Sequence, residues 1–232
     1  MRKFKENILK ILLYLSALIT VGILVFIIGF IFCSSGTVLA VNSNLGLSPW
    51  DVFHQGLSKM TGLSMGQVSI FVGLIVVIAT IFLKLEIGLG TIANMILIGV
   101  FMDAIMYTNI IPTSNNFLLS LLMLMGSLVT MAIGSYLYIG CEMGCGPRDG
   151  LMVALVKKTG KPVGFIRSCI ELGVLVIGFM LGGSVGIGTL ITVFGVGACI
   201  QLVFKVLRFD VGKIKHKNIR ECFVFFNKCI NG

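Results

Sequence analysis

Long uncharged stretches separated by short polar clusters run through this chain. No Asp, Glu, Lys or Arg lies between Lys10 and Asp51, between Lys59 and Lys84, between Asp103 and Glu142, or between Glu171 and Lys205. A helix needs about 20 apolar residues to cross a hydrocarbon core of ~30 Å. Six segments qualify: 11–33, 65–83, 87–108, 117–140, 163–183 and 185–204. Their apolar runs are continuous, without period-2 alternation, so they predict helices and not barrel strands. Met1–Lys10 is basic, but the apolar run after it is too long for a signal-peptide core and lacks a small-x-small cleavage site. Phe32 before Cys33 likewise argues against a lipoprotein site. A retained span is expected there, tilted if it extends through Val41.

Composition agrees. Hydrophobic residues make up 57% of the chain and charged ones 12%, with a mean hydropathy of +1.07. Soluble domains run near ~45–50% and ~25%, so the polar surface of a water-soluble body is missing. The same numbers exclude disordered, collagen-like, coiled-coil and disulfide-scaffold chains. With the N-terminus inside and six spans, only Lys59 of the 18 Lys and Arg residues falls outside, a strong positive-inside bias. Both termini are therefore expected in the cytoplasm. The net charge of +9 reads as an insertion signal and a contact for anionic lipids. Nucleic-acid binding is not expected, because the basic residues cluster at membrane edges and form no folded basic face.

Shifting the chain against itself by 98 residues aligns GLSPWDVFHQGLSKMTGLSMG (46–66) with GCGPRDGLMVALVKKTGKPVG (144–164), and GLGT (88–91) with GIGT (186–189), without gaps. The recurring residues include Gly46/Gly144, Pro49/Pro147, Asp51/Asp149, Gly62/Gly160, Gly66/Gly164, Gly88/Gly186, Gly90/Gly188, Thr91/Thr189 and Gly99/Gly197. These are residue types that chance alignment of greasy segments would not favour. Three spans per copy, an odd number, invert the second copy relative to the first. The expected organisation is an all-α membrane protein: a basic N-terminus at 1–10, three-span repeats at 11–110 and 111–208, and a basic tail at 209–232. Inverted repeats build many secondary transporters, with the substrate site near the midplane, but duplication also builds channels, scaffolds and membrane enzymes.

The repeated loop predicts a short helix. Ser48 or Gly146 suits the N-cap, Pro49 or Pro147 the first turn, and Gly62 or Gly160 the C-terminal stop. About 12 residues give roughly 18 Å, too short to span, so each helix lies in the interface or re-enters the membrane. Asp51 and Asp149, at the third helical position, read either as acids against the helix dipole or as cation or proton sites in a cavity. Arg148 could neutralise its neighbour Asp149, and Trp50, at the matching outer position, reads as an aromatic-belt anchor.

Further pathway candidates lie within the spans. Glu171 sits near the middle of the fifth, with Arg167 one turn earlier to pair with it. Asn94/Thr192 and Asp103/Gln201 recur as polar pairs, which predicts that they face the interior. The Gly-x-Gly-Thr segments suit close backbone approach. Cys141 and Cys145 flank Glu142, but without a second pair or a nearby His they are weak metal evidence. Neither His54 nor His216 belongs to a nucleophile–base arrangement. No cofactor, metal or catalytic step is expected.

GLSPWD and GCGPRD, each followed by Lys-x-Thr-Gly and later by GLGT or GIGT, resemble the YczE/YyaS/YitT family of bacterial polytopic membrane proteins over roughly residues 10–210. The resemblance implies a bacterial plasma-membrane protein with no established substrate. It is closer to the YczE branch, because YitT-like chains carry a soluble C-terminal domain and this one ends in a short basic tail. That tail mixes Lys213, Lys215, Lys217 and Arg220 with Phe223, Phe225 and Phe226. It reads as an amphipathic helix on anionic lipid, or as a docking segment for a cytoplasmic partner. The favoured function is transport of a small, cation- or proton-coupled solute. The alternative is an accessory or scaffold protein that regulates a partner, and self-association is compatible with both.

Overall fold

A computed structural model describes residues 2–84, 87–141 and 146–208. All regular structure there is helical: α1 (Arg2–Asn42), α2 (Pro49–Thr61), α3 (Met65–Phe82), α4 (Leu89–Thr108), α5 (Phe117–Ile139), α6 (Pro147–Thr159), α7 (Val163–Met180) and α8 (Ile187–Val206). Gly144, Glu142, Cys145 and the tail 209–232 lie outside the described residues. Val21–Asn42 of α1, together with α3, α4, α5 and α8, are long and apolar enough to cross a membrane. α7 lies where the sequence predicts the remaining span and carries Arg167 and Glu171.

The two short helices form with 13 residues each. In α2 the Ser48 hydroxyl oxygen accepts the Asp51 N–H at 3.4 Å and donates to Asp51 Oδ2 at 2.5 Å. Gly62 (φ +74°) and Gly160 (φ +67°) end the two helices, donating their N–H groups to Ser58 and Val156. α1 extends past the expected 11–33 to Asn42. Small polar residues along the extension do not interrupt it, because they find partners: Ser34 donates to the Ile98 carbonyl at 3.0 Å, Thr37 to Cys33 at 3.2 Å and Asn42 to Ile111 at 2.6 Å.

α1 and α5 pack along the molecular centre. Glycines let their backbones approach: a Cβ on Gly29 would lie 2.9 Å from the Tyr138 nitrogen, and one on Gly134 would lie 2.6 Å from Cys33 Sγ. α4 packs on α1 and α8 on α5, while each short helix sits on a long helix of the other half, α2 on α7 and α6 on α3. Gly188 donates to the Leu45 carbonyl at 2.7 Å, fixing the approach to α2 on the start of α8. Gly46 stands there at φ +113°, and a Cβ on it would lie 2.6 Å from the Gly186 nitrogen. The two halves differ most at one interface: α3 packs on α4, and α7 and α8 have no comparable contact.

Candidate functional site

A cavity of about 630 Å³ lies inside the bundle and is lined by residues from all eight helices. The long helices contribute their middles. On α3 these are Ser69, Val72, Gly73 and Val76, on α4 Asn94, Met95 and Ile98, and on α8 Thr192, Val193 and Val196. Counted from Met65 at 1.5 Å per residue, the α3 lining lies about 6 to 17 Å along the helix.

The short helices aim their N-terminal ends at this cavity: Ser48, Pro49 and Trp50 from α2, and Gly146, Pro147, Arg148 and Asp149 from α6. Because each short helix docks on the opposite half, the matched positions 50 and 148 come together. The Arg148 guanidinium lies over the Trp50 ring, 5.1 Å from its centroid, and its Nη2 stands 3.8 Å from Asp51 Oδ1. Arg148 thus pairs across the halves with Asp51. Trp50 is not a belt anchor. It is buried among Val68, Val72 and Val76, because an indole can cover apolar surface on one face and a guanidinium on the other.

Asp51 is buried, accepts from the Ser48 hydroxyl, and has His54 Nδ1 at 3.9 Å. That ring nitrogen is buried without a hydrogen-bond partner among the described residues. Arg167 donates from Nε to Glu171 Oε1 at 2.9 Å, and both line the cavity. Asn94 and Thr192 also line it. Asn94 approaches Gly146, and Thr192 donates to the Thr189 carbonyl at 2.9 Å. Fixed dipoles, two ion pairs and an aromatic face inside an otherwise apolar bundle can orient a small polar solute. No group of three or more His, Cys, Asp or Glu side chains converges among the described residues.

The other expected interior pair lies elsewhere. Asp103 accepts from the Ser64 hydroxyl and, at 2.8 Å, from the Gly66 N–H, so its carboxylate satisfies the first turn of α3 and does not face the cavity. Gln201 is exposed. Gly88, Gly90, Thr91, Gly186 and Thr189 stand at helix starts, with Gly90, Thr91 and Thr189 buried. They shape backbone contacts and do not line the cavity. Sequence reasoning missed His54, whose signal was its i,i+3 spacing from Asp51 on a helix too short to span. It also missed Ser69 and Ser135, small hydroxyls that nothing in their spans marks out.

The sequence pattern of a family of unknown function, DUF6198, matches residues 20–205, and the chain belongs to that family. It is similar to the uncharacterised membrane protein YczE of Bacillus subtilis (strain 168), with 35% identity over 175 residues, 75% of this chain and 80% of that one. An uncharacterised protein of Haemophilus influenzae is 33% identical over 188 residues, covering 81% and 84% of the two chains. The uncharacterised protein YyaS of Bacillus subtilis (strain 168) is 33% identical over 169 residues, covering 72% and 84%. No solved structure matches. The resemblance carried by the GLSPWD and GCGPRD motifs is thereby shown, and with its apolar helices the chain is a membrane protein.

Proposed function

We propose that this protein moves a small polar solute across the bacterial plasma membrane by alternating access, using six spans and two short re-entrant helices arranged as inverted repeats. The observation that carries the reading is the convergence of α2 and α6. Two half-length helices, one from each half, present their N-terminal ends and a shared Arg148–Asp51 pair to one cavity at the middle of the spans. Broken helices meeting at mid-membrane are a recurring way to expose backbone polarity to a solute without exposing it to lipid. The exchange of partners, α2 on α7 and α6 on α3, supports a pseudo-two-fold relation between the halves. The positive-inside bias puts both termini, Lys84 and the segment before α6 in the cytoplasm. In this reading the chain performs no catalytic step.

The test uses a cysteine-free protein with Ser69→Cys or Ser135→Cys, one cavity position from each half. A membrane-impermeant maleimide should label both positions in right-side-out and in inside-out vesicles. Cysteine placed at Lys59 should react only from the outside. A regulatory scaffold, the second reading, predicts cavity cysteines closed to both faces. Labelling from a single face would refute alternating access.

A further inference from the structure

The two halves disagree at one matched pair of glycines. In the first half Gly66 of α3 and Gly99 of α4 are buried against each other, and a Cβ on Gly99 would lie 2.6 Å from the Gly66 carbonyl oxygen. Their counterparts, Gly164 of α7 and Gly197 of α8, are exposed, and a Cβ on either would meet nothing within 4 Å. The cavity lining differs at the same place. Gly197 and Ile200 line it, whereas the matched Met102 is buried in a cluster with Val38 and Met65.

The closed interface also has a latch. Ser64 through its hydroxyl and Gly66 through its N–H both donate to the Asp103 carboxylate. Gly66 is the second residue of α3, where backbone N–H groups have no partner within the helix. In the second half these three positions hold Pro162, Gly164 and Gln201. Gly164 is again the second residue of its helix, and Gln201 offers an amide oxygen to accept its N–H. The second latch would be weaker, with one donor in place of two and a neutral acceptor in place of a charged one. A glycine that touches nothing only weakens a helix, and a state in which Gly164 and Gly197 meet as Gly66 and Gly99 do here would give both a contact.

We infer that the α3–α4 and α7–α8 interfaces are the two gates of the cavity, and that this structure has the first closed and the second open. In the opposite state Gly164 and Gln201 make the contact that Gly66 and Asp103 make here. The inference rests on the alternating-access reading and gives it moving parts. Packed interfaces switch between discrete arrangements more readily than they deform. Arg167 and Glu171 stand where the first half has Ser69 and Gly73, so closing the second gate brings an ion pair between α7 and α8. The two charges neutralise each other at 2.9 Å, which keeps an unpaired charge from being trapped.

The experiment places cysteines at Gly164 and Gly197 in the cysteine-free protein in native membranes and follows oxidative cross-linking as the loss of two maleimide-reactive thiols. A cross-link should form, and Asp103→Asn, which weakens the first latch, should speed it at least threefold. Ser64→Ala, which removes one donor and keeps the carboxylate, should act in the same direction if Asp103→Asn does not fold. Equal rates with and without the latch overturn the inference. So does the absence of any cross-link while Ser69→Cys and Ser135→Cys still label from both faces, an outcome that leaves the transport reading standing. Cavity cysteines that label from one face only would count against that reading instead.

Discussion

The ion pair between Arg148 and Asp51 holds the two halves together at the cavity, and its strength can be measured by a double-mutant cycle. The charges are 3.8 Å apart, with the Asp51 side chain 4% exposed and that of Arg148 43% exposed. At an effective dielectric constant of about 20, the gross attraction at that distance is about 4 kcal/mol. Desolvation of the buried acid and the openness of Arg148 offset much of it, leaving a net coupling of about 1–2 kcal/mol. Asp51→Asn also weakens the charge–dipole interaction at the start of α2 by about 0.3–1 kcal/mol. The single changes Asp51→Asn and Arg148→Gln should each cost roughly 1.5–2.5 kcal/mol, and the double change little more than either alone. Trp50 is the only tryptophan and lies beneath Arg148, so its fluorescence reports thermal unfolding of the purified protein in detergent. At about 2–4 °C per kcal/mol for a chain of this size, each single variant should melt some 3–10 °C lower. If the two losses simply add, to within about 0.5 kcal/mol, the charges do not interact and the cross-half contact is incidental.

Four further outcomes follow from other features. Gly46→Ala should cost about 2–3 kcal/mol by thermal melting, because φ is +113° and the new Cβ would lie 2.6 Å from the Gly186 nitrogen. Gly164→Ala, in open space within a helix, should leave stability unchanged or raise it by up to about 1 kcal/mol, and an equal loss at the two sites would contradict the contrast. For the Arg167–Glu171 pair, joint replacement by Leu should be tolerated better than Arg167→Leu alone, which strands Glu171 in the cavity; a double variant less stable than both singles would refute the pairing. Cys141, just past α5, has its thiol pKa raised by burial. Since the thiolate is the reactive form, its maleimide labelling should rise at higher pH than that of a free thiol in solution, and a coincident or lower midpoint would contradict that.

The sequence carried the helices because their signals are local. Apolar runs of about 20 residues marked the five helices long and apolar enough to span, and Ser48, Pro49 and Gly62, repeated as Gly146, Pro147 and Gly160, marked the short ones and their stops. Helix-forming groups in a membrane must be satisfied within the segment itself, so a span can be read from its own composition. The repeat, too, was legible before any contact was known. Asn94 and Thr192 were picked out by recurring at matched positions, and both line the cavity.

What faces what was decided by packing. Asp103 and Asn94 look alike along α4, yet one sits against the first turn of α3 and the other in the cavity. That difference depends on how α3 lies across α4. Adjacency in sequence shows only that Arg148 could neutralise Asp149, whereas the docking of each short helix on the other half brings it to Asp51 and Trp50 as well. The unequal glycine pairs show the same division. Residues 66, 99, 164 and 197 are all glycine, and residue identity cannot distinguish a closed interface from an open one. Only the tertiary arrangement separates them, because the contact depends on the distance between helices that are far apart along the chain.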